Sequence, residues 1–392
     1  MAAETALATL VVAIGASLFM AWAIGAGSSG STPFAPAVGA NAISVMRAGF
    51  FVGILGLAGA TLQGANVSEA VGRELILGPP LPASAAVLAL MTAAVLVAIG
   101  VFAGYPIATA FTVTGAVVGV GLAAGGDPAW AKYQEIVALW VAVPFVGGGV
   151  AYGVAKLLRD ERVAERFAVP ALAGIVGLIL ANVNFVILGG PGEQDSIAGV
   201  IAGFAGGSTA ALVGVSLGLG ALVTAALYWD INGSPDRGQR HFLLALGGLV
   251  AFSAGGSQVG LAIGPLLPLV EPFEVSLVVV LLGGGLGLLA GSWTGAPRMI
   301  KALAQDYSSL GPRRSIAALI PSFIIAQTAV FLGVPVSFNE IIVSAIIGSG
   351  YAAGGSAVSV EKMGKTVLAW VASLAIALGF GYGAFAVGTM VL

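Results

Sequence analysis

The chain has 392 residues, of which 58% are hydrophobic and 8% charged, against about 25% charged in an ordinary soluble protein. With a mean hydropathy of +1.05 it cannot cover its surface with polar groups, so lipid must be part of its solvent. The absence of cysteine excludes disulfides, zinc–thiolate centres and thiol nucleophiles, and a net charge of −2 gives no basis for binding nucleic acid.

A spanning helix needs about 20 apolar residues. In chain order the uninterrupted candidates are 5–24, 43–62, 84–104, 133–157, 168–190, 198–228, 242–262, 273–292, 315–333 and 363–391. Glu4 is the only charge before the first, which lacks the basic flank of a secretory signal and so reads as a retained span. Two further apolar segments, 105–122 and 334–352, sit at Gly-x-Pro and read as short spans or re-entrant hairpins. The expected fold class is therefore all-α, a polytopic transmembrane protein of ten to twelve crossings with no room for a soluble domain.

The chain repeats itself. Val137, Trp140, Val141, Ala142, Gly149, Tyr152 and Gly153 recur as Val367, Trp370, Val371, Ala372, Gly379, Tyr382 and Gly383, all at an offset of 230, and Lys132 and Lys362 obey the same offset. Gly104-Tyr-Pro-Ile and Gly333-Val-Pro-Val match at 229, as do Ala116/Ala345, Gly119/Gly348 and Gly121/Gly350. Shared greasiness would scatter its matches; Trp, Tyr, Pro and Lys in one register mark a duplication. The expected organisation is a first repeat over 1–160, linking helices over 161–238 and a second repeat over 239–392.

Basic residues set the orientation, because Lys and Arg concentrate on the cytoplasmic side. Loop 293–314 holds Arg298, Lys301, Arg313 and Arg314 against Asp306, whereas its counterpart, loop 63–83, holds Arg73 against Glu69 and Glu74. The first is expected inside, with the basic stretch Lys156–Arg166, and the second outside. Twelve crossings with both termini outside satisfy all three. Seven spans then separate equivalent helices, an odd number, so the halves are expected to be inverted, as is common in secondary transporters.

Two pairs of segments look wrong for plain spans. After the opening helix of each half come the Gly- and Ser-rich Gly25–Pro36 and its counterpart Gly255–Leu266, which place Ser28 opposite Gln258. Gly and Pro there are expected to unwind the helix and free backbone groups, which at membrane depth survive only around a cavity or ligand. The second pair begins at Pro106 and Pro335, where a Pro in a first turn leaves a helix N-terminus open to an anion. Candidate substrate ligands are Ser28, Ser29, Ser31, Thr109, Thr112, Ser257, Gln258, Ser337 and Asn339, neutral groups suited to an oxyanion that must also leave. Glu340 lies among apolar and small neighbours. An intramembrane carboxylate is costly and marks a functional position, so Glu340, with Ser28 and Gln258, is a candidate for the coupling ion; a carboxylate snorkelling to water at the outer interface is the plain alternative. Asn182 and Asn184 are expected to bond across helices, Gln327 to do that or bind solute, and His241, the only histidine, to sit at a surface. There is no Walker A, G-x-S-x-G or H-E-x-x-H motif and no paired catalytic carboxylates, so the chain is not expected to be an enzyme.

At these residues the chain resembles the inorganic phosphate transporter (PiT) family, whose two inverted halves each carry a GANDVAN-type break and a later G-x-PVSTTH-type segment. Ala262-Ile-Gly-Pro-Leu is similar to the tail of the second break, Gly104-Tyr-Pro-Ile-Ala-Thr and Gly333-Val-Pro-Val-Ser to the later segments, and the Trp140 and Trp370 helices to the closing helices. The family's Asn-Asp falls on Gly27-Ser28 and Ser257-Gln258, so both acids associated with sodium and phosphate are replaced. The Ser-Thr-Thr-His run reads Ala108 to Phe111 in one half and Ser337 to Glu340 in the other.

The resemblance implies a multi-pass protein of the plasma membrane that carries inorganic phosphate, or sulfate or a similar oxyanion, in symport with sodium or protons. No other cofactor is implied, and the partners are the anion, the bilayer and, as such chains allow, a second copy in a homodimer. A passive channel and a non-transporting relative are the competing classes.

Overall fold

The computed structural model describes residues 2–189, 194–307, 310–354 and 359–391. The first half comprises α1 (Ala2–Gly27), α2 (Ala35–Gly39), α3 (Val45–Gln63), α4 (Ala65–Glu69), α5 (Ala83–Ala103), α6 (Thr109–Ala123) and α7 (Trp130–Leu157). The links are α8 (Glu165–Ala181), α9 (Ile197–Phe204) and α10 (Thr209–Gly233). The second half comprises α11 (Pro235–Ile263), α12 (Leu267–Val270), α13 (Leu277–Thr294), α14 (Ala296–Asp306), α15 (Pro312–Leu332), α16 (Phe338–Tyr351) and α17 (Val360–Val391). Among the described residues nine helical stretches are long and apolar enough to cross a membrane. Eight of the ten expected spans and both Gly-x-Pro segments coincide with single helices; the expected span 168–190 is helical only as far as Ala181, and the expected span 198–228 is divided between α9 and α10 by the Gly206-Gly207 turn, where both glycines have positive φ. Large apolar side chains such as Phe145, Phe204 and Trp229 stand exposed, as they must where the solvent is lipid.

The Gly-x-Pro segments are the returning arms of hairpins. α5 ends at Gly104 (φ 73°) and α15 at Gly333 (φ 62°). This left-handed conformation closes a helix at little cost only for glycine. The x-Pro that follows forces the chain out of the helical region, and it re-enters a helix at Thr109 and Phe338. Each hairpin comes back to the face it left. Before α5, β1 (Ile76–Leu77) pairs antiparallel with β2 (Asp127–Pro128), which follows α6. Before α15, Tyr307 shares a 2.9 Å hydroxyl hydrogen bond with Thr366, and its carbonyl accepts from the Ser359 N–H beyond α16 at 3.4 Å.

The two halves exchange contacts reciprocally. Trp140 of α7 donates its indole N–H to the Pro335 carbonyl at 2.8 Å; Trp370 of α17 donates to the Pro106 carbonyl at 2.7 Å. α6 lies against α17 and α16 against α7 so closely that a Cβ on Gly119 would sit 2.2 Å from the Leu378 carbonyl oxygen, and one on Gly348 2.0 Å from that of Gly148. Small residues at such crossings let backbones touch where no hydrophobic force drives helices together.

Charges gather at opposite ends of α7. At its start Lys132 pairs with Glu74 at 2.9 Å, and Arg73 pairs with Glu69 at 2.8 Å and Glu271 at 3.0 Å. Beyond its end Glu165 pairs with Arg313 and accepts from Gln239 at 3.3 Å. The basic stretches Lys156–Arg166 and Arg298–Arg314 thus share one face, and loop 63–83 lies at the other; residues 308 and 309 are outside the described residues. α14 is amphipathic, with Met299, Ile300 and Leu303 buried and Arg298 and Lys301 exposed, the pattern of a helix lying along a membrane surface.

Candidate functional site

The chain breaks in the first half where the glycines predict. α1 ends at Gly27, and Ser28–Phe34 run in turns before α2. The second half differs. α11 continues unbroken through Ser257 and Gln258 to Ile263, and the chain tightens into a 3-10 turn only at Gly264–Leu266. Its glycines serve close approach instead of unwinding: a Cβ on Gly255 would lie 1.9 Å from the Gly56 carbonyl oxygen. Of the expected break Gly255–Leu266, only the final Gly264–Leu266 leaves the α-helix, where Pro265 enforces it, while Ser257 and Gln258 stay helical.

These elements converge on one buried cluster. Ser28 donates its hydroxyl to Gln258 Oε1 at 3.2 Å, and Thr109, at the N-terminus of α6, donates to the same oxygen at 2.7 Å. Gln258 Nε2 donates to the Val336 carbonyl at 2.6 Å, in the link that leads into α16. From the first turn of α16, Asn339 Nδ2 donates to the carbonyls of Gly27 at 2.9 Å and Ile107 at 2.7 Å. The break after α1, the middle of α11 and the tips of both hairpins are thus tied through side chains. Ser28, Thr109, Ser257, Gln258, Ser337 and Asn339 are all 0% exposed, so the cluster is closed to both faces.

Five buried polar atoms in this region have no partner: Ser29 Oγ, Ser257 Oγ, Ser337 Oγ, Asn339 Oδ1 and Glu340 Oε2. Buried polar groups are normally satisfied, and orphans concentrated at four broken or polar elements are what a polar ligand would complete. The N-termini of α6 and α16 also start here, and each brings unsatisfied backbone N–H groups and a positive dipole end. Glu340 is 2% exposed, so it does not snorkel to the surface.

Not every expected ligand faces the cluster. Thr112 Oγ1 turns back to the Ala108 carbonyl at 2.9 Å, and Ser31 Oγ to the Ser28 carbonyl at 3.1 Å, where Thr32 Oγ1 joins it at 3.0 Å. They close local turns. Thr32 was not among the candidates, although Ser31-Thr32-Pro33 is a turn signature. Asn182 bonds across to Ser216 of α10 at 3.0 Å, and His241 is a surface residue at 2.7 Å from Asp230. Phe111 stacks on Trp140 with centroids 3.8 Å apart, so its position is apolar in this chain.

A family model described as the phosphate transporter family matches residues 24–381. The chain belongs to that family. It is 25% identical to a protein named as a phosphate permease in Thermococcus kodakarensis, covering 95% of this chain and 94% of the other. It is also 25% identical to inorganic phosphate transporter 2-1, chloroplastic, of Arabidopsis thaliana, over 91% of this chain and 68% of that one. A solved structure titled the sodium-dependent phosphate transporter superposes with a TM-score of 0.81 at 22% identity, covering 98% of this chain and all of the other, and so shares the fold. This member of the phosphate transporter family is a multi-pass membrane protein and a transporter, not an enzyme. Its first-half break reads Gly25 to Ser31, without an acidic residue.

Proposed function

We propose that the chain is a secondary active transporter of the plasma membrane that carries inorganic phosphate in symport with sodium or protons. Phosphate would be held between two inverted halves at the Ser28–Thr109–Gln258 cluster. The observation that carries this reading is the set of buried, unpartnered polar atoms where two helix N-termini meet. Hydroxyls and N–H groups supply donors for oxyanion oxygens. The unpartnered Asn339 Oδ1 is an acceptor, which a protonated phosphate satisfies and sulfate does not; this favours phosphate over the second reading, sulfate.

Inversion is supported by parity. If each hairpin leaves and returns on one face, five passes separate the starts of α1 and α11, still an odd number. The basic stretches Lys156–Arg166 and Arg298–Arg314 on one face then lie inside. Alternating access would follow from movement of one half against the other around the shared site. In this scheme Glu340, a buried carboxylate in a chain whose first break carries no acid, holds the coupling cation or proton.

Uptake into proteoliposomes tests the reading. Labelled phosphate and sulfate are offered under imposed sodium and proton gradients. Phosphate accumulation driven by one gradient is expected. Downhill phosphate flux indifferent to both gradients would mean a channel, and no flux of either anion would mean a non-transporting relative.

A further inference from the structure

A second polar feature lies outside the cluster. A cavity of about 600 Å³ is lined by Gln63 and Asn66 at the end of α3 and start of α4, by Asn182 and Asn184 after α8, and by Gln327 and Thr328 of α15. Among the described residues, none that lines it is charged. Asn182, Asn184 and Thr328 are exposed in its mouth, whereas Gln63 and Gln327 are 3% and 8% exposed and form its floor.

The floor is a reciprocal amide pair. Gln63 Nε2 donates to Gln327 Oε1 at 3.4 Å and Gln327 Nε2 to Gln63 Oε1 at 3.2 Å, both long. Gln327 Nε2 also donates to Ser253 Oγ at 2.6 Å, and Gln63 Nε2 to the Asn184 carbonyl at 3.1 Å. Ser253 is fully buried on α11, four residues before Ser257, which at about 1.5 Å per residue is one turn, or about 6 Å. Ser257 Oγ is unpartnered and adjoins Gln258. A polar path therefore leads from the cavity through the amide pair and Ser253 to the buried cluster. The pair owes its position to Gly256: a Cβ there would lie 2.8 Å from Cβ of Gln63.

We propose that this cavity is a vestibule in which an oxyanion such as phosphate binds transiently, and that the Gln63–Gln327 pair is the gate between it and the transport site. The inference rests on the transport reading above. Carboxamides suit the task because they present N–H donors without a fixed charge that would trap the anion. The two long hydrogen bonds exchange for bonds to a passing anion at small net cost, since a neutral hydrogen bond contributes little beyond the water it displaces.

The chain lacks cysteine, so single cysteines report on the path. In proteoliposomes, Thr328→Cys in the cavity and Ser253→Cys behind the gate are treated on both faces with a membrane-impermeant sulfonatoethyl methanethiosulfonate. Thr328→Cys is expected to react readily and Ser253→Cys about tenfold more slowly. Adding Gln327→Ala, or in a second variant Gln63→Ala, is expected to bring Ser253→Cys up about tenfold, and sulfonate on Thr328→Cys to slow phosphate uptake. The proposal is overturned if Ser253→Cys stays equally protected with either amide removed while Thr328→Cys reacts, or if derivatised Thr328→Cys carries phosphate at its unmodified rate. Failure of the transport reading has a separate signature, an unmodified protein that moves no phosphate; the labelling pattern then still decides the gate.

Discussion

Ser28 and Gln258, equivalent positions of the two halves at an offset of 230, meet side chain to side chain at 3.2 Å. Two residues related by a two-fold axis touch only near that axis. In the inverted arrangement proposed above, the axis of the duplication would therefore pass through the candidate site, with the polar cluster where the two halves interlock. Thr109 reinforces the junction from the first half and Val336 from the second.

Thr109→Val removes one of the two hydroxyls held on Gln258 Oε1 and leaves a near-isosteric methyl. A lost hydrogen bond in a buried polar site is worth about 1–3 kcal/mol. Phosphate KM is expected to rise by about tenfold, with thermal stability nearly unchanged, in transport assays run beside a thermal melt.

The reciprocal indole bonds make a symmetric prediction about stability. Trp140→Phe and Trp370→Phe each leave one buried Pro carbonyl unpaired, at about 1–3 kcal/mol. Thermal melts in detergent are expected to show comparable losses for the two variants. A large loss for one beside none for the other would contradict equivalent roles for these helices.

Glu340→Gln keeps the size of the side chain and abolishes its charge and its titration. Uptake by the variant is expected to lose its dependence on the coupling gradient while phosphate still binds. Full gradient-driven accumulation by Glu340→Gln would remove Glu340 from the coupling role.

Much of this was legible in the sequence, for physical reasons. Trp140/Trp370 and Pro106/Pro335 could be paired by offset alone because their roles are reciprocal, so both copies keep the residue type. The hairpin tips could be located because Gly-x-Pro dictates backbone conformation locally. The path of α11 could not. Gly255 and Gly256 look like an unwound stretch, yet they are small because Gly56 and Gln63 pack against them, a fact that resides in a partner far along the chain. Local hydrogen bonding likewise took Ser31 and Thr112 out of the cluster, since short hydroxyl side chains compete for nearby carbonyls. The Gln63–Gln327 pair joins residues 264 apart, and no offset relates them.

In the proposed mechanism phosphate binds where the two halves interlock. Its most direct test is binding of labelled phosphate to purified protein, comparing the unaltered chain with Gln258→Leu, with a thermal melt confirming that both are folded. Gln258→Leu, stripped of the acceptor that holds Ser28 and Thr109 and of the donor to Val336, is expected to lose phosphate binding by at least about tenfold. Unchanged affinity in a folded Gln258→Leu protein would place the phosphate elsewhere in the molecule.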